Sequence, residues 1–349
     1  LSDVYDPNPR AARLDAVARA LARLATHADP AVLADGLSAP MAARCLALAL
    51  GELERGALEA TLRHRPDLDA TVLFVAARGV FTSPIEWVAQ LAALGAGVHV
   101  KAPRAAPALC EALAHAFSDE GLPVRASISR RFPEAHAVMA MGDDATMRAL
   151  ARRFRGLPLS LHGHRFSVAV VRGDDPATAR ALADDVVLYD GRGCFTPAGI
   201  FVLPPGHPDR LADGLDSALR VASLRWPRGA IDPALGPEWR RRTGLARVRG
   251  RAIEGPDFAV LRLDASFFEP SALPRLVSVH GLPDPDALLR LLLPWKGHLA
   301  ACATDLPRAP EALDGAGFER LCAPGRLQIP PLDRRHGGRD VLAELAGGA

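Results

Sequence analysis

The chain has 349 residues, enough for about two domains and a sizeable core, and its 42 basic and 40 acidic residues leave a net charge of +2. The two signs are interspersed, so no basic block marks a nucleic-acid or membrane surface, and no apolar run reaches the ~18 residues that a membrane span requires. Five scattered cysteines (Cys45, Cys110, Cys194, Cys302, Cys322) lack metal-type spacing and favour reduced thiols in the cytoplasm. No signal peptide is visible, and the chain opens on Leu1 rather than Met, which points to a missing upstream piece. Only Lys101 and Lys296 are lysine, every other basic residue being arginine, and Asn8 is the one asparagine. A mechanism that needs a catalytic asparagine in the body of the fold is thereby excluded.

Residues 10–65 read as helices: Leu14, Val17, Leu21 and Leu24 recur at helical spacing, with no chemistry among them. The pattern changes at Thr71, where Thr71 to Ala76 form the continuous apolar run of a buried parallel strand. A helix over Ile85–Leu94 follows, then a strand over Val98–Val100 with Lys101 at its carboxyl end, a helix over Ala105–Phe117, and strands over Val124–Ile128 and Ala135–Met141. After Gly142, Asp143 or Asp144 caps a helix running to about Phe154. Strand–helix alternation at this spacing predicts a doubly wound parallel sheet with right-handed crossovers. Ligands of such sheets bind beyond the carboxyl ends of the strands, which is where Lys101 and Gly142 fall.

There is no GxGxxG fingerprint, although Gly142 and the helix after it could seat a phosphate. Residues 157–171 predict two short strands around a turn holding His162 and His164. That pair has no third ligand nearby, reads as ordinary loop histidines, and gives no reason to expect a metal. Further helices are expected over Pro176–Val187, Asp209–Ser223 and Pro285–Leu293, and strands near Phe258–Leu263, Leu276–His280 and Leu299–Thr304. The arginine-rich stretch Arg240–Arg251 reads as a solvated face.

The turn Tyr189-Asp190-Gly191-Arg192-Gly193-Cys194-Phe195-Thr196-Pro197 stands out. Two glycines free the backbone for conformations that side chains forbid, and a thiol held among backbone N–H groups can serve as a covalent nucleophile. The residues of the turn leave a second reading open, that Cys194 is a small buried residue in a bend.

Taken in order, Pro84-Ile85-Glu86-Trp87, Val98-His99-Val100-Lys101, Met141-Gly142-Asp143-Asp144, the Gly163 turn, the Cys194 turn and Gly325-Arg326-Leu327-Gln328-Ile329-Pro330-Pro331 with His336-Gly337-Gly338 resemble the aldehyde dehydrogenase superfamily. Within it they are most similar to the LuxC-type acyl-CoA (fatty acyl) reductases. The resemblance implies an α/β fold of two doubly wound domains with a helical N-terminal cover. The cover and a Rossmann-like nicotinamide-binding domain would occupy 1–165, a catalytic thiol domain 166–325 and a C-terminal tail 326–349. It further implies a homo-oligomer and leaves room for an acyltransferase or synthetase partner.

Carried over by position, Cys194 is the nucleophile and Lys101 hydrogen-bonds the adenosine ribose of the cofactor. Arg104 falls where NAD-preferring members carry a glutamate. A guanidinium there pairs with a 2′-phosphate, which favours NADPH while leaving NADH open. Gly142 and Asp143 sit by the pyrophosphate. Two departures carry information. Leu161 stands where hydrolytic members place the glutamate that activates water, so an S-acyl enzyme would persist until hydride or another thiol attacks it. Ala77-Arg78-Gly79 stands where the superfamily places its oxyanion asparagine, leaving Arg78, Gly79 and the Cys194 N–H as candidate donors; losing one such donor costs roughly 2.7–4 kcal/mol. Glu269, before Pro270, falls about one residue from the glutamate expected at the nicotinamide ribose. The implied activity is reduction of an acyl-CoA or acyl-carrier thioester to a fatty aldehyde. An acyl-phosphate reductase of the same fold, or a non-catalytic member that holds an acyl group or docks a partner, stands as the alternative.

Overall fold

The computed structural model describes residues 9–34, 36–271 and 273–347, and they fall into two compact units. Residues 9–34, 42–163 and 331–347 make the first; residues 36–41 and 164–330 make the second.

In the first unit the helix Pro9–His27 buries Leu14, Val17, Leu21 and Leu24 along one face. Five strands, β1 (Thr71–Val75), β2 (Gly97–Lys101), β3 (Val124–Ser127), β4 (Ala137–Met141) and β5 (Leu159–His162), pair in the order β3-β2-β1-β4-β5. All the pairings are parallel. Such sheets are covered on both faces, which is why Val72, Leu73 and Phe74 are fully buried in succession. The helices Ser83–Ala93 and Ala108–Asp119 make the crossovers, and Ile85, Trp87, Val88 and Leu91 bury the first of them almost completely. The chain starts in the middle at β1, winds out to β3, then returns to β4. The strand order therefore reverses between β1 and β4, and the crevice of a doubly wound sheet opens at their carboxyl ends.

The second unit is a seven-stranded sheet of β6 (Phe166–Val171), β7 (Pro197–Val202), β8 (Gly250–Glu254), β9 (Ala259–Leu263), β10 (Leu276–Gly281), β11 (Leu299–Thr304) and β12 (Arg320–Cys322). Its order is β12-β11-β6-β7-β10-β9-β8, and β8 alone runs antiparallel to its neighbour. The two central strands, β6 and β7, are buried along their whole length. Phe166, Val168, Val170, Phe201, Leu288 and Leu299 close the core on one face. The arginine-rich stretch folds as the helix Gly236–Arg249, which buries only Thr243 and Ala246. It draws on ion pairs in place of an apolar stripe, Glu238 accepting from both Arg241 and Arg242. Among the described residues no helix is long and apolar enough to cross a membrane.

Candidate active site

Cys194 lies just before β7, at the amino edge of the second sheet. The path to it begins in the helix Pro176–Val187, started by Pro176 at the first position and by Asp175, whose carboxylate accepts from the N–H groups of Ala177 and Thr178. The chain then leaves through three consecutive left-handed residues, Tyr189 (φ 55°), Asp190 (φ 54°) and Gly191 (φ 71°). Two of these carry side chains, at a cost of roughly 1–2 kcal/mol each. At the third only glycine fits, since a Cβ would stand 3.0 Å from the Arg275 backbone nitrogen and 3.3 Å from the Val186 carbonyl.

A buried ion network holds this kink. Asp190 and Arg275 are both fully buried, with Nη2 of Arg275 2.8 Å from Oδ1 of Asp190. Arg275 Nη1 donates to Asp257 at 2.7 Å and Nη2 to the Trp226 carbonyl at 2.7 Å, while the Gly229 N–H donates to Asp190 Oδ2 at 3.0 Å. A buried charge is tolerable only when paired and hydrogen-bonded; here each charge is paired and partly hydrogen-bonded, with Asp190 Oδ1 and Arg275 Nε left without a hydrogen bond. Sequence reading did not single out Arg275 or Asp257. The one available signal was a lone arginine at the mouth of an apolar strand in Leu273-Pro274-Arg275-Leu276.

The thiol itself is half-buried on a turn closed by the Thr196 N–H donating to the Gly193 carbonyl at 3.0 Å. Ser167 Oγ donates to the Cys194 carbonyl at 2.8 Å and accepts from the Ala301 N–H at 3.1 Å, tying the turn to β6 and β11. The Arg320 guanidinium lies over the Phe195 ring at 5.0 Å. Of the other cysteines, Cys322 alone is half-buried like Cys194. Cys45, Cys110 and Cys302 are buried, and burial pushes the Cys110 thiol up to about 12, raises that of Cys302, and takes that of Cys322 to about 11.

In the first unit the structure places Lys101 at the carboxyl end of β2, beside Val75 and Ser127 in register. Partial burial and the neighbouring Arg104 guanidinium both lower the Lys101 pKa, so two cations repel each other at this strand end. Arg78 and Gly79 form an exposed bend after β1. After β4, the Gly142 N–H donates to the His162 carbonyl at 3.1 Å. Asp143 is the cap of the helix Asp144–Arg153, its carboxylate accepting from Thr146 N at 2.7 Å and Thr146 Oγ1 at 2.9 Å. These hydrogen bonds hold Asp143 ionised below the usual carboxylate range. Lys101, Arg104, Gly142, Asp143, Arg78 and Gly79 thus share the carboxyl edge of one sheet, and Cys194 belongs to the other unit.

Of the two histidines expected in the loop, His162 is instead the last residue of β5, paired with Met141, and only His164 lies beyond the strand. His162 is buried in the first unit, its Nε2 2.9 Å from Ser160 Oγ, which donates to Glu344 at 2.6 Å. His164, in the second, offers its carbonyl to His298 Nδ1 at 3.0 Å. Among the described residues no three His, Cys, Asp or Glu side chains gather as a metal site. Leu161 packs against the small cluster of Ala140, Met147 and Leu150. Glu269 is engaged by Arg241 and Arg242.

The sequence profile of the acyl-CoA reductase (LuxC) family matches residues 124–347, well over half of the chain. The chain belongs to the LuxC acyl-CoA reductase family. It is accordingly an oxidoreductase acting on aldehyde or acyl groups. No curated protein sequence matches the chain. Among solved structures it is similar to an aldehyde dehydrogenase from Brucella melitensis biovar abortus 2308 (13% identity, 90% of this chain and 77% of that one, TM-score 0.73). It is also similar to an NAD-dependent benzaldehyde dehydrogenase from Corynebacterium glutamicum (17% identity, 93% and 84%, TM-score 0.70). A third is glyceraldehyde-3-phosphate dehydrogenase GapN from Methanocaldococcus jannaschii, complexed with NADP (11% identity, 97% and 88%, TM-score 0.71). At these identities the likeness establishes the aldehyde-dehydrogenase fold for this LuxC-family chain.

Proposed function

We propose that the chain reduces an acyl thioester to an aldehyde, with Cys194 as nucleophile and NADPH as the reductant. One observation carries the reading: a half-buried thiol on a turn pinned by buried charge, in a chain where Cys45, Cys110 and Cys302 are buried and burial raises the half-buried Cys322 to about 11. In the first step Cys194 Sγ, as thiolate, adds to the thioester carbonyl carbon. The carbon–sulfur bond to coenzyme A or a carrier thiol breaks, and the departing thiolate takes up the proton that Cys194 gave up. By the family resemblance Leu161 stands where hydrolytic members carry the glutamate that activates water, and without that base the S-acyl enzyme would survive. Hydride arriving at the acyl carbon gives a thiohemiacetal on Cys194, and expulsion of the sulfur releases the aldehyde and restores the thiolate.

When bound, the reduced nicotinamide supplies that hydride. The residues at the end of β2 suit its adenosine end: Lys101 would bond the ribose and Arg104 would pair with a 2′-phosphate, an anion that relieves the repulsion between the two cations. Gly142 would let the pyrophosphate approach the backbone, and the ionised Asp143 cap makes this seat less favourable to an anion than a neutral cap would.

A second reading, a member that takes up an acyl group without reducing it, draws support from the lack of any asparagine beyond Asn8. Intact-protein mass after exposure to a panel of acyl-CoAs, with Cys194→Ala alongside, separates the two. An acyl adduct that is absent in Cys194→Ala and is discharged as aldehyde by NADPH is the expected result. An adduct that NADPH leaves in place would favour acyl holding. No adduct from any acyl-CoA would end the acyl-CoA assignment.

A further inference from the structure

We infer that Gln328 is a positioning residue for the nucleophile turn, holding it through Thr196. The inference rests on the reading of Cys194 as nucleophile. The segment Gly325–Gln328 is laid against the helix Pro176–Val187 by a carboxyl group with no exposed surface: Asp185 accepts from the Gly325 N–H at 2.7 Å and from the Leu327 N–H at 2.9 Å. Leu327, fully buried, fixes the depth of the segment. The buried Gln328 side chain then spends its amide group twice, donating to the Asp185 carbonyl at 3.2 Å and to Thr196 Oγ1 at 2.9 Å. Thr196 is the residue whose own N–H closes the turn onto Gly193, with Cys194 between them.

The turn is therefore pinned at both ends. Upstream, Asp190 and Arg275 hold its entry; downstream, Gln328 holds its exit; and Ser167 holds the Cys194 carbonyl in the middle. The two kinds of pin differ in chemistry. The upstream pin is ionic and supports the backbone kink. The downstream pin is one neutral donor reaching a threonine hydroxyl two residues from the sulfur. Loss of the Gln328–Thr196 bond lets the turn relax by a fraction of an ångström. That is enough to misplace a nucleophile at a cost on the order of ten- to a hundredfold in rate. Neither Gln328 nor Thr196 is assigned to substrate binding, so KM for acyl-CoA is expected to hold where chemistry is slower than substrate dissociation.

The test uses the full chain and steady-state reduction of acyl-CoA, with thermal unfolding measured on every variant. Gln328→Ala and Thr196→Val each lower kcat by the factor above and leave KM for acyl-CoA in place. Thr196→Ser, which keeps the acceptor, recovers most of the loss suffered by Thr196→Val at a matched unfolding midpoint. The double variant Gln328→Ala/Thr196→Val is no slower than the slower single, because both remove the same bond. If Gln328→Ala fails to fold, the comparison of Val with Ser at position 196 decides alone. Wild-type kcat in folded Thr196→Val, or losses that add in the double variant, overturns the inference while an inactive Cys194→Ala leaves the nucleophile standing. Full turnover in Cys194→Ala brings down the nucleophile reading instead, and this inference with it.

Discussion

Asp190 and Arg275 meet at 2.8 Å with neither side chain exposed, and the backbone of both residues is left-handed (φ 54° and 52°). The ion pair and the two strained backbones are one device: the charge pairing holds conformations that neither residue would adopt alone. Arg275→Met leaves the buried Asp190 with only the Arg192 guanidinium, at 3.8 Å, as an ion-pair partner and is expected to lower unfolding free energy by about 3–5 kcal/mol, read as a shift in the urea midpoint. Alkylation of Cys194 by iodoacetamide should slow in the same variant. A midpoint equal to wild type would mean that packing alone shapes the turn.

Asp185 gives stability a particular dependence on pH. Burial raises its carboxyl from 3.8 to about 7, outweighing the N–H groups of Gly325 and Leu327 that favour the charged form. Between those two values the unfolded chain is ionised at this position while the native chain keeps the proton. The contribution of this group to stability is therefore greatest below pH 3.8, falls as pH rises from about 4 to about 7, and is flat above. Urea unfolding at pH 4, 5.5, 7 and 8 should show the difference between wild type and Asp185→Asn narrowing or reversing across that window. A difference constant with pH would show that Asp185 is ionised throughout.

What was legible in the sequence followed the rules that act locally. The run Thr71-Val72-Leu73-Phe74-Val75 announces a buried strand because every side chain meets a covered face, and Leu299–Thr304 emerged with the expected bounds. The glycine-bracketed turn likewise marked where a thiol would be displayed. The helix Gly236–Arg249 was not legible, because charge pairs from Glu238 replace the apolar stripe that periodicity detects. Antiparallel β8 was missed for a related reason: Gly250-Arg251-Ala252-Ile253-Glu254 has little burial to declare itself. The short helix Val341–Leu345 depends on Asp340, which caps it and pairs with Arg65 far earlier in the chain. The same limit hid Arg275, and hid the contact of Gln328 with Thr196 although its segment carries part of the family resemblance. Their meaning is the residue each one reaches, and no local pattern encodes a partner so distant in sequence.

The electropositive end of β2 predicts how the cofactor is chosen. Arg104→Ala should raise KM for NADPH on the order of tenfold or more, the scale of a lost charge-assisted hydrogen bond, and leave KM for NADH little changed. Initial rates with each cofactor at saturating acyl-CoA measure this. Equal losses with both cofactors would place Arg104 away from the 2′-phosphate.

Asp143 leads to an expectation of opposite sign, in which a substitution improves binding. Its carboxylate caps the helix Asp144–Arg153 and is kept ionised by the N–H and hydroxyl of Thr146. A helix N-terminus attracts phosphate through its dipole and its N–H groups, and an anionic side chain already seated there competes with a pyrophosphate for both. Asn is as good a cap as Asp, so Asp143→Asn retains the helix while removing the charge. KM for NADPH should fall about two- to fivefold, the scale of a single charge at a helix end, with kcat unchanged and with the gain shrinking as salt is added. Rates at low and high ionic strength test both parts. A rise in KM would instead make the Asp143 carboxylate an acceptor for a cofactor hydroxyl, and the pyrophosphate would then have to lie elsewhere along the carboxyl edge of the sheet.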